Sequence, residues 1–386
     1  MILTRFQYRE FQDSPKYWEL DSVELQNVNL IVGKNASGKT RVLNVIKGLA
    51  NLLFNSPKIT FQNGYYNTRF DLSQGTIEFE VEIKDGVVEK ERLSIDGEQY
   101  IIRGSEGSGQ IKNIKTKENI DFKIPKDELM SGRRDEIQFP FLDSLYNWAS
   151  LVRKFRFTLE QQKNTLALLD SNSPKPKDFN LRDTDKVLAV FKDGLKKHST
   201  RFTSQIIEDF NRVGFDITEI DLGQMISISV EVSAPGTSIN GLRIKERDRN
   251  GMTDQYAMSD GMFRALSLVI HFVYYDFEKL SGCILIDDIG EGLDFERATN
   301  LIKLLIEKTG KTSVQLIMSS NDKFIMNNTD LKYWQIISRE GGRVHMYNQK
   351  NSPEAFGDFK FTGLNNFDFF TSEFFKTGFK IESEEK

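Results

Sequence analysis

The stretch Val28-Asn-Leu-Ile-Val32-Gly33-Lys34-Asn35-Ala36-Ser37-Gly38-Lys39-Thr40 decides the reading of this 386-residue chain. Its first five residues form a short apolar run ending at a glycine, the pattern of a buried strand. Beyond it, Val42, Val45, Ile46, Leu49 and Leu53 fall at the spacing of an amphipathic helix. Between strand and helix, residues 33–40 spell G-x-x-x-x-G-K-[ST]. Glycines at those places let backbone N–H groups turn inward around phosphate oxygens, and the helix that begins there points the positive end of its dipole at them. Lys39 would reach the outer phosphates, and the Thr40 hydroxyl would ligate magnesium.

A magnesium-nucleotide site also needs an acid at the end of a neighbouring strand. Ile284-Leu-Ile-Asp287-Asp288 supplies it: Asp287 would hold the metal through water, and Asp288 would polarise an attacking water. By itself, a strand ending in two aspartates is more often a turn. Beside a phosphate loop it becomes the expected second half. Ahead of it lies Met258-Ser259-Asp260-Gly261-Met262, where Ser259 is a good N-cap and Gly261 leaves N–H groups open at a helix start. The phosphate loop and the acids stand far apart, at residues 39 and 287, so something is inserted between them.

Composition sets bounds on the rest. Hydrophobic residues make up 39% and charged residues 28%, enough for a sizeable core. With a mean hydropathy of -0.43 and no apolar run near the ~18 residues needed to cross a bilayer, no membrane span is expected. A charged N-terminus does not read as a signal peptide, and a single cysteine, Cys283, excludes a disulfide framework or a four-thiolate zinc site. The expected setting is reducing cytoplasm. A net charge of -4 argues against a nucleic-acid binder that uses its whole surface, while leaving local basic patches open. The 30 phenylalanines are unusually many.

Ile77, Phe79, Val81 and Ile83 alternate with polar residues, and Asp85-Gly86 and Asp96-Gly97 read as hairpin turns, so residues 76–103 form a small antiparallel meander. An irregular, lysine-bearing segment follows to about 135. From about 141 to 213 the chain reads as helical, interrupted by the polar loop 171–178, and strand patterns return near 224–233. Helices over 261–278 and 296–308 alternate with strands over 283–286 and 314–318, the order of a parallel α/β architecture. The expected organisation is an N-terminal lobe over 1–135 with the β meander, a helical insertion over 136–215, and a C-terminal lobe over 216–386 that ends in a phenylalanine-rich segment.

Phosphate loop, Ser-x-Gly helix start, then apolar strand with paired acids is the motif order of ABC-type ATPases, which the chain resembles. Asp287-Asp-Ile-Gly-Glu-Gly-Leu-Asp294 is similar, without a gap, to that family's Asp-Glu-x-x-Ser-Ala-Leu-Asp. The resemblance is nearest to the SMC/RecF/OLD-like branch, and within it to short bacterial AAA-type ATPases without a long coiled coil that serve phage defence or toxin regulation. It covers about 1–60 and 220–340, and the middle only in topology. It implies a P-loop NTPase head of ABC type with an antiparallel β subdomain and a helical insertion. It also implies ATP and Mg2+ as cofactors, with Gly33, Lys34, Asn35, Ala36, Ser37, Gly38, Lys39, Thr40, Ser259, Asp260, Gly261 and Asp294 as binding residues. Lys39, Asp288 and Asn321 would be catalytic, with Asn321 at the switch position in Ser319-Ser320-Asn321-Asp322. Thr40, Asp287 and Gln138 would serve the metal. Gln138 also reads as an ordinary polar residue before Pro140.

The family's two heads bind two ATPs head to tail, so the resemblance implies a homodimer or a higher oligomer in which Ser259 and Gly261 of one copy cap the γ-phosphate held by Lys39 of the other. Three departures stand out. Asp288 replaces the usual glutamate, Asn321 replaces a histidine, and Met262-Phe263 replace polar residues, so slow hydrolysis is expected. Lys192, Lys196, Lys197, His198 and Arg201, with Arg153, Lys154 and Arg156, read as a solvated face or as a DNA- or RNA-backbone patch. Phe367, Phe370 and Phe374 read as a helix docked on its own core or as a stripe for a protein partner. The functional expectation is an ATPase acting in DNA maintenance or phage defence. The alternative is a nucleotide-controlled scaffold or antitoxin-like regulator of a partner effector. A transporter subunit is disfavoured by the large insert.

Overall fold

The computed structural model describes residues 1–54, 57–157, 167–169, 187–227 and 238–379. The chain forms two compact units interleaved in sequence. The first comprises Met1–Val152, Gly282–Leu285 and Gln315–Lys386, and the second Arg153–Ser281 and Ile286–Val314.

The first unit is built on a long mixed sheet. Part of its strand order is Gly282–Asp287, Val314–Ser320, Val28–Val32, Trp334–Glu340, Arg343–Tyr347, Trp18–Glu24, Ile2–Glu10 and Gly64–Asp71. Val28–Val32 is buried at all five positions and lies parallel to both neighbours, as a fully covered strand of an α/β sheet should. The helix Lys39–Phe54 buries Val42, Leu43, Val45, Ile46, Leu49, Leu52 and Leu53 in a core shared with Phe6, Trp18, Ile31 and Ile317.

From Trp18–Glu24 onward the sheet is antiparallel, through Ile2–Glu10 and Gly64–Asp71 and on through Thr76–Lys84, Val87–Ile95 and Glu98–Gly104. Both expected turns are present: Asp85 and Gly86 have φ of 50° and 75°, and Asp96 and Gly97 have 51° and 80°. The lysine-bearing segment is more ordered than its composition suggests, because Ser108–Lys112 and Asn119–Lys123 add a further hairpin. Within this subdomain, Glu91 is fully buried and accepts the N–H groups of Met130 and Ser131 at 2.8 Å each. The guanidinium of Arg103 lies 3.7 Å from Glu91 and donates to the carbonyls of Pro125 and Lys126.

The stretch read as helical from 141 to 213 is corrected. Leu142–Ser150, Val187–His198 and Thr200–Val213 are helices, but Val152–Arg156 and Ala167–Leu169 are strands. Arg153 and Phe155 are buried on one side of the first of these, an alternation masked in the sequence because one inward residue is an arginine. The polar loop 171–178 and most of the expected strand at 224–233 lie outside the described residues; the strand seen there is Ile217–Gln224.

Among the described residues of the second unit, the antiparallel strands Ile217–Gln224 and Ser238–Glu246 accompany four helices. Asp260–Phe277 is central: every residue from Gly261 to Tyr275 is buried, not only the stripe that its periodicity showed. Asp209, on Thr200–Val213, meets Lys308, on Phe295–Lys311, at 2.6 Å and braces the two helices. His271 is fully buried, its Nδ1 2.7 Å from the Ser267 carbonyl, and burial lowers its pKa to about 4. No helix among the described residues is long and apolar enough to cross a membrane.

The phenylalanine-rich segment docks on its own unit, with Phe370 inward as expected but Phe367 and Phe374 only half-buried. Asn366–Thr371 and Phe374–Thr377 are separate short helices that bury Phe369, Phe370 and Phe375. Phe369 packs against the rings of Phe356, Phe359 and Phe374.

Two stability predictions follow from these buried groups. Glu91→Ala leaves Arg103 as a buried charge without its carboxylate and should cost about 3–5 kcal/mol in chemical denaturation. The unfolded chain takes up a proton on His271 near pH 6.5, whereas the folded one resists until about 4, so stability should fall as pH drops through that interval. Denaturation of His271→Phe at pH 7.5 and pH 5 should show a smaller loss than the parent chain.

Candidate functional site

In the first unit, residues 33–40 form a closed loop at the end of the buried strand. A Cβ on Gly33 would lie 2.3 Å from Ile337 Cγ2 and 2.8 Å from Ser37 Oγ, so only glycine lets the loop turn there. Ala36 and Gly38 have φ of 62° and 108°. The Lys39 side chain folds back across the loop and donates to the carbonyls of Gly33 at 2.9 Å and Lys34 at 3.3 Å. Lys39 is 7% exposed, which puts its ammonium over the loop and not in solvent. Ser37 Oγ is buried and has no hydrogen-bond partner among the described residues. Thr40, on the first turn of the helix, is exposed.

Several neighbours hold this loop. Asn321 Nδ2 donates to Asn35 Oδ1 at 2.8 Å, so the expected switch residue touches the phosphate loop. Arg339 Nη1 reaches the Ala36 carbonyl at 3.5 Å, and Lys34 pairs with Glu373 at 3.1 Å. A cavity of about 420 Å³ lies beside Lys34–Ser37, walled also by Arg339, Phe370 and Phe375. Arg41 stacks over the buried Trp18 ring at 4.6 Å and pairs with Glu10. Gln138 sits in an exposed turn of this unit, its N–H bonded to Asp135 Oδ1 at 2.9 Å and its carbonyl accepting from the Ile114 N–H.

The second unit holds the other residues. Asp287 ends its strand 4% exposed, and its carbonyl accepts the Phe157 N–H at 3.2 Å. Its carboxylate faces Lys154, with Nζ 3.4 Å from Oδ2 and side-chain exposures of 7% for the lysine and 5% for the aspartate. Burial pushes the Lys154 ammonium below its ordinary pKa, and Asp287 opposes that push. Asp288 has φ of 53°, a left-handed conformation uncommon outside glycine that often marks functional strain.

Ser259 caps Asp260–Phe277 by accepting the Met262 N–H at 3.2 Å. Asp260 lies in the first turn, 4.0 Å from Arg264. Gly261 packs against the loop after the paired acids: a Cβ there would lie 2.1 Å from the Gly292 carbonyl oxygen and 3.0 Å from Leu293 Cδ2. Asp294 caps Phe295–Lys311 through the Arg297 N–H at 2.9 Å. That N–H, then the Arg297 guanidinium, holds the Asp294 carboxyl below the usual carboxylate pKa. Ser259–Gly261 and Gly292–Asp294 are thus brought together, as Asn35 and Asn321 are in the first unit.

The basic cluster reads differently in three dimensions. Arg153 is fully buried, stacked 5.6 Å from the Tyr275 ring, and Lys154 faces Asp287. Lys197 bonds Asp193 and Glu278, and His198 bonds Glu278 at 2.6 Å. Sequence reasoning counted Lys154 as a surface cation, because nothing in a sequence says which carboxylate a buried lysine meets.

The buried strand, phosphate loop and amphipathic helix, with an apolar strand ending in acids, define a P-loop ATPase of the SMC/RecF-like ABC branch. A family model described as "AAA domain, putative AbiEii toxin, Type IV TA system" matches residues 28–327, and the chain belongs to that family. The chain is similar to the DNA replication and repair protein RecF of Staphylococcus aureus strain JH9, 24% identical over 355 residues that cover 82% of this chain and 95% of RecF. RecF of strain Newman gives the same values. Two solved structures share the fold. An SmcHead bound to the C-winged helix domain of ScpA has a TM-score of 0.52 at 13% identity, covering 90% of this chain and 97% of that one. An Smc head domain with an extended coiled coil, bound to the C-terminal domain of ScpA derived from Pyrococcus furiosus, has a TM-score of 0.51 at 11% identity, covering 93% and 99%.

Because Gly261 admits no side chain against Gly292, Gly261→Ala should force the two loops apart. Hydrogen exchange should show faster opening at both 259–263 and 290–294, while the exchange of 33–40 stays unchanged.

Proposed function

We propose that the chain is an ATP-binding, slowly hydrolysing ATPase that dimerises head to tail around nucleotide and acts in DNA maintenance or phage defence. The observation that carries this is Lys39, folded over a loop that turns through left-handed backbone at Ala36 and Gly38. The donor set fits a triphosphate: a lysine ammonium held over the loop, a buried serine hydroxyl with capacity to spare, and a helix N-terminus behind them.

Thr40 and Asp287 are proposed as magnesium residues on the resemblance, and each offers by itself the kind of oxygen that Mg2+ takes. When bound it neutralises phosphate charge. Gln138 is kept as a proposed metal-side residue on its resemblance alone. Lys39 holds the outer phosphates, and Ser259, Asp260 and Gly261 of a second copy, with its Asp294, meet the nucleotide from the other side. Asp288 orients the attacking water and accepts its proton, while Asn321 donates from the switch position. The site works in a water-soluble, cytoplasmic setting.

Hydrolysis is slow because the Asp288 carboxylate is one methylene shorter than a glutamate, a shift of about 1.5 Å. Misplacement on that scale costs on the order of a hundredfold in rate. The same two departures, Asp288 and Asn321, favour a second reading: a nucleotide-controlled scaffold or antitoxin-like restraint on a partner nuclease or toxin, with little hydrolysis.

Size measurement tests both the site and the dimer. Asp288→Ala should enlarge to a dimer on addition of ATP and Mg2+, whereas Lys39→Ala should lose nucleotide binding and stay small. Turnover of the parent chain above about 10 s⁻¹, the median for enzymes, would contradict slow hydrolysis, and stimulation by DNA would favour the first reading over the second.

A further inference from the structure

We propose that Lys154 is the resident counter-ion of Asp287 and that loading Mg2+ at this carboxylate is an exchange in which the metal displaces the lysine. The inference deepens the ATP–Mg2+ reading above and rests on it.

The argument starts from burial. A carboxylate that is 5% exposed cannot remain ionised cheaply without a cation or several hydrogen-bond donors. Lys154 supplies that cation, 7% exposed itself, with Nζ 3.4 Å from Oδ2. The placement follows from the strand. Along Val152–Arg156 successive side chains point to opposite faces, so Lys154 points away from the side on which Arg153 and Phe155 enter the core. Immediately after the strand, the Phe157 N–H bonds the Asp287 carbonyl at 3.2 Å, fixing the acid's backbone beside the lysine's strand. The pair is therefore set by backbone register and does not depend on two mobile surface side chains finding each other.

The choice of lysine matters. An ammonium on a four-carbon stem is a compact point charge that can withdraw, whereas a guanidinium grips a carboxylate with two parallel hydrogen bonds and is harder to dislodge. A divalent ion bound to Asp287 would sit within a few ångströms of the ammonium, and like charges at that distance in a buried place repel strongly. Arg156, on the same face of the strand, adds a further cation that favours expulsion. Lysine and metal thus compete for the same carboxylate: Lys154 holds it when metal is absent and yields it when nucleotide brings the metal. Lys154 stabilises the nucleotide-free protein and weakens its hold on metal. It is a positioning residue, acting through Asp287.

The test is titration of Mn2+ into the protein with stoichiometric ADP, followed by electron paramagnetic resonance, for the parent chain, Lys154→Met and Lys154→Arg. Lys154→Met should bind Mn2+ about tenfold more tightly, within the usual range of coupling between two sites, and should melt at lower temperature without metal. Lys154→Arg should bind Mn2+ more weakly than the parent. Unchanged or weaker Mn2+ binding by Lys154→Met would overturn the exchange. If Lys154→Met does not fold without metal, Lys154→Gln replaces it, and the readout becomes the rise in melting temperature on adding Mn2+–ADP. That rise must exceed the parent's, and an equal or smaller rise overturns the proposal. If the parent chain itself binds no Mn2+–ADP, the ATPase reading fails instead, so the two failures are distinguishable.

Discussion

The structure depends on a lysine ammonium held over two backbone carbonyls. Lys39 can bond Gly33 and Lys34 only because the chain reverses sharply after a fully buried strand, and it reverses there only because Gly33 presses against Ile337 without a side chain. Strand, reversal and helix therefore specify one another. The parallel neighbours of the strand bring Asn321 and Arg339 to the loop, since Val314–Ser320 and Trp334–Glu340 both end beside it. The shape of this loop is therefore a property of the sheet's architecture.

The second unit repeats the same economy with different parts. One helix, Asp260–Phe277, is buried all round, which fixes its N-terminus with little freedom. Ser259 caps that end, and Gly261 packs it onto the Gly292 carbonyl at a distance no other residue would allow. The loop from Asp288 to Asp294 then runs from a left-handed aspartate to a helix cap. Local strain at Asp288 is tolerated because well-packed elements on either side determine its position.

Much of this was legible in the sequence, and the reasons differ from place to place. Alternation at 77–83 and the two Asp-Gly turns dictate a meander, because period and turn chemistry agree. The strands on either side of the motifs were readable too, because the apolar runs ending at Gly33 and at Asp287 fold as the buried strands that their patterns predict. The strand at Val152–Arg156 was not, because Arg153 and Lys154 are charged yet buried, and a hydrophobic pattern cannot register a buried charge whose partner lies 133 positions away. The phenylalanine segment misled in a related way. Its helical stripe pointed to Phe367, Phe370 and Phe374, but a break at Ser372–Glu373 splits it: Phe370 stays inward, while Phe369 and Phe375 are buried in place of Phe367 and Phe374. The stretch 104–135 looked irregular because its strands are short and exposed, with little apolar alternation to reveal them.

The central claim is that one nucleotide engages the Lys39 loop of one copy and the Ser259 helix start of another. Hydrogen exchange of the parent chain with and without a non-hydrolysable ATP analogue and Mg2+ tests it most directly. The account predicts slowed exchange in three places together: 33–40, 287–288 and the paired loops 259–261 and 292–294. Slowing confined to 33–40 and 287–288, at protein concentrations well above the analogue's dissociation constant, would contradict it.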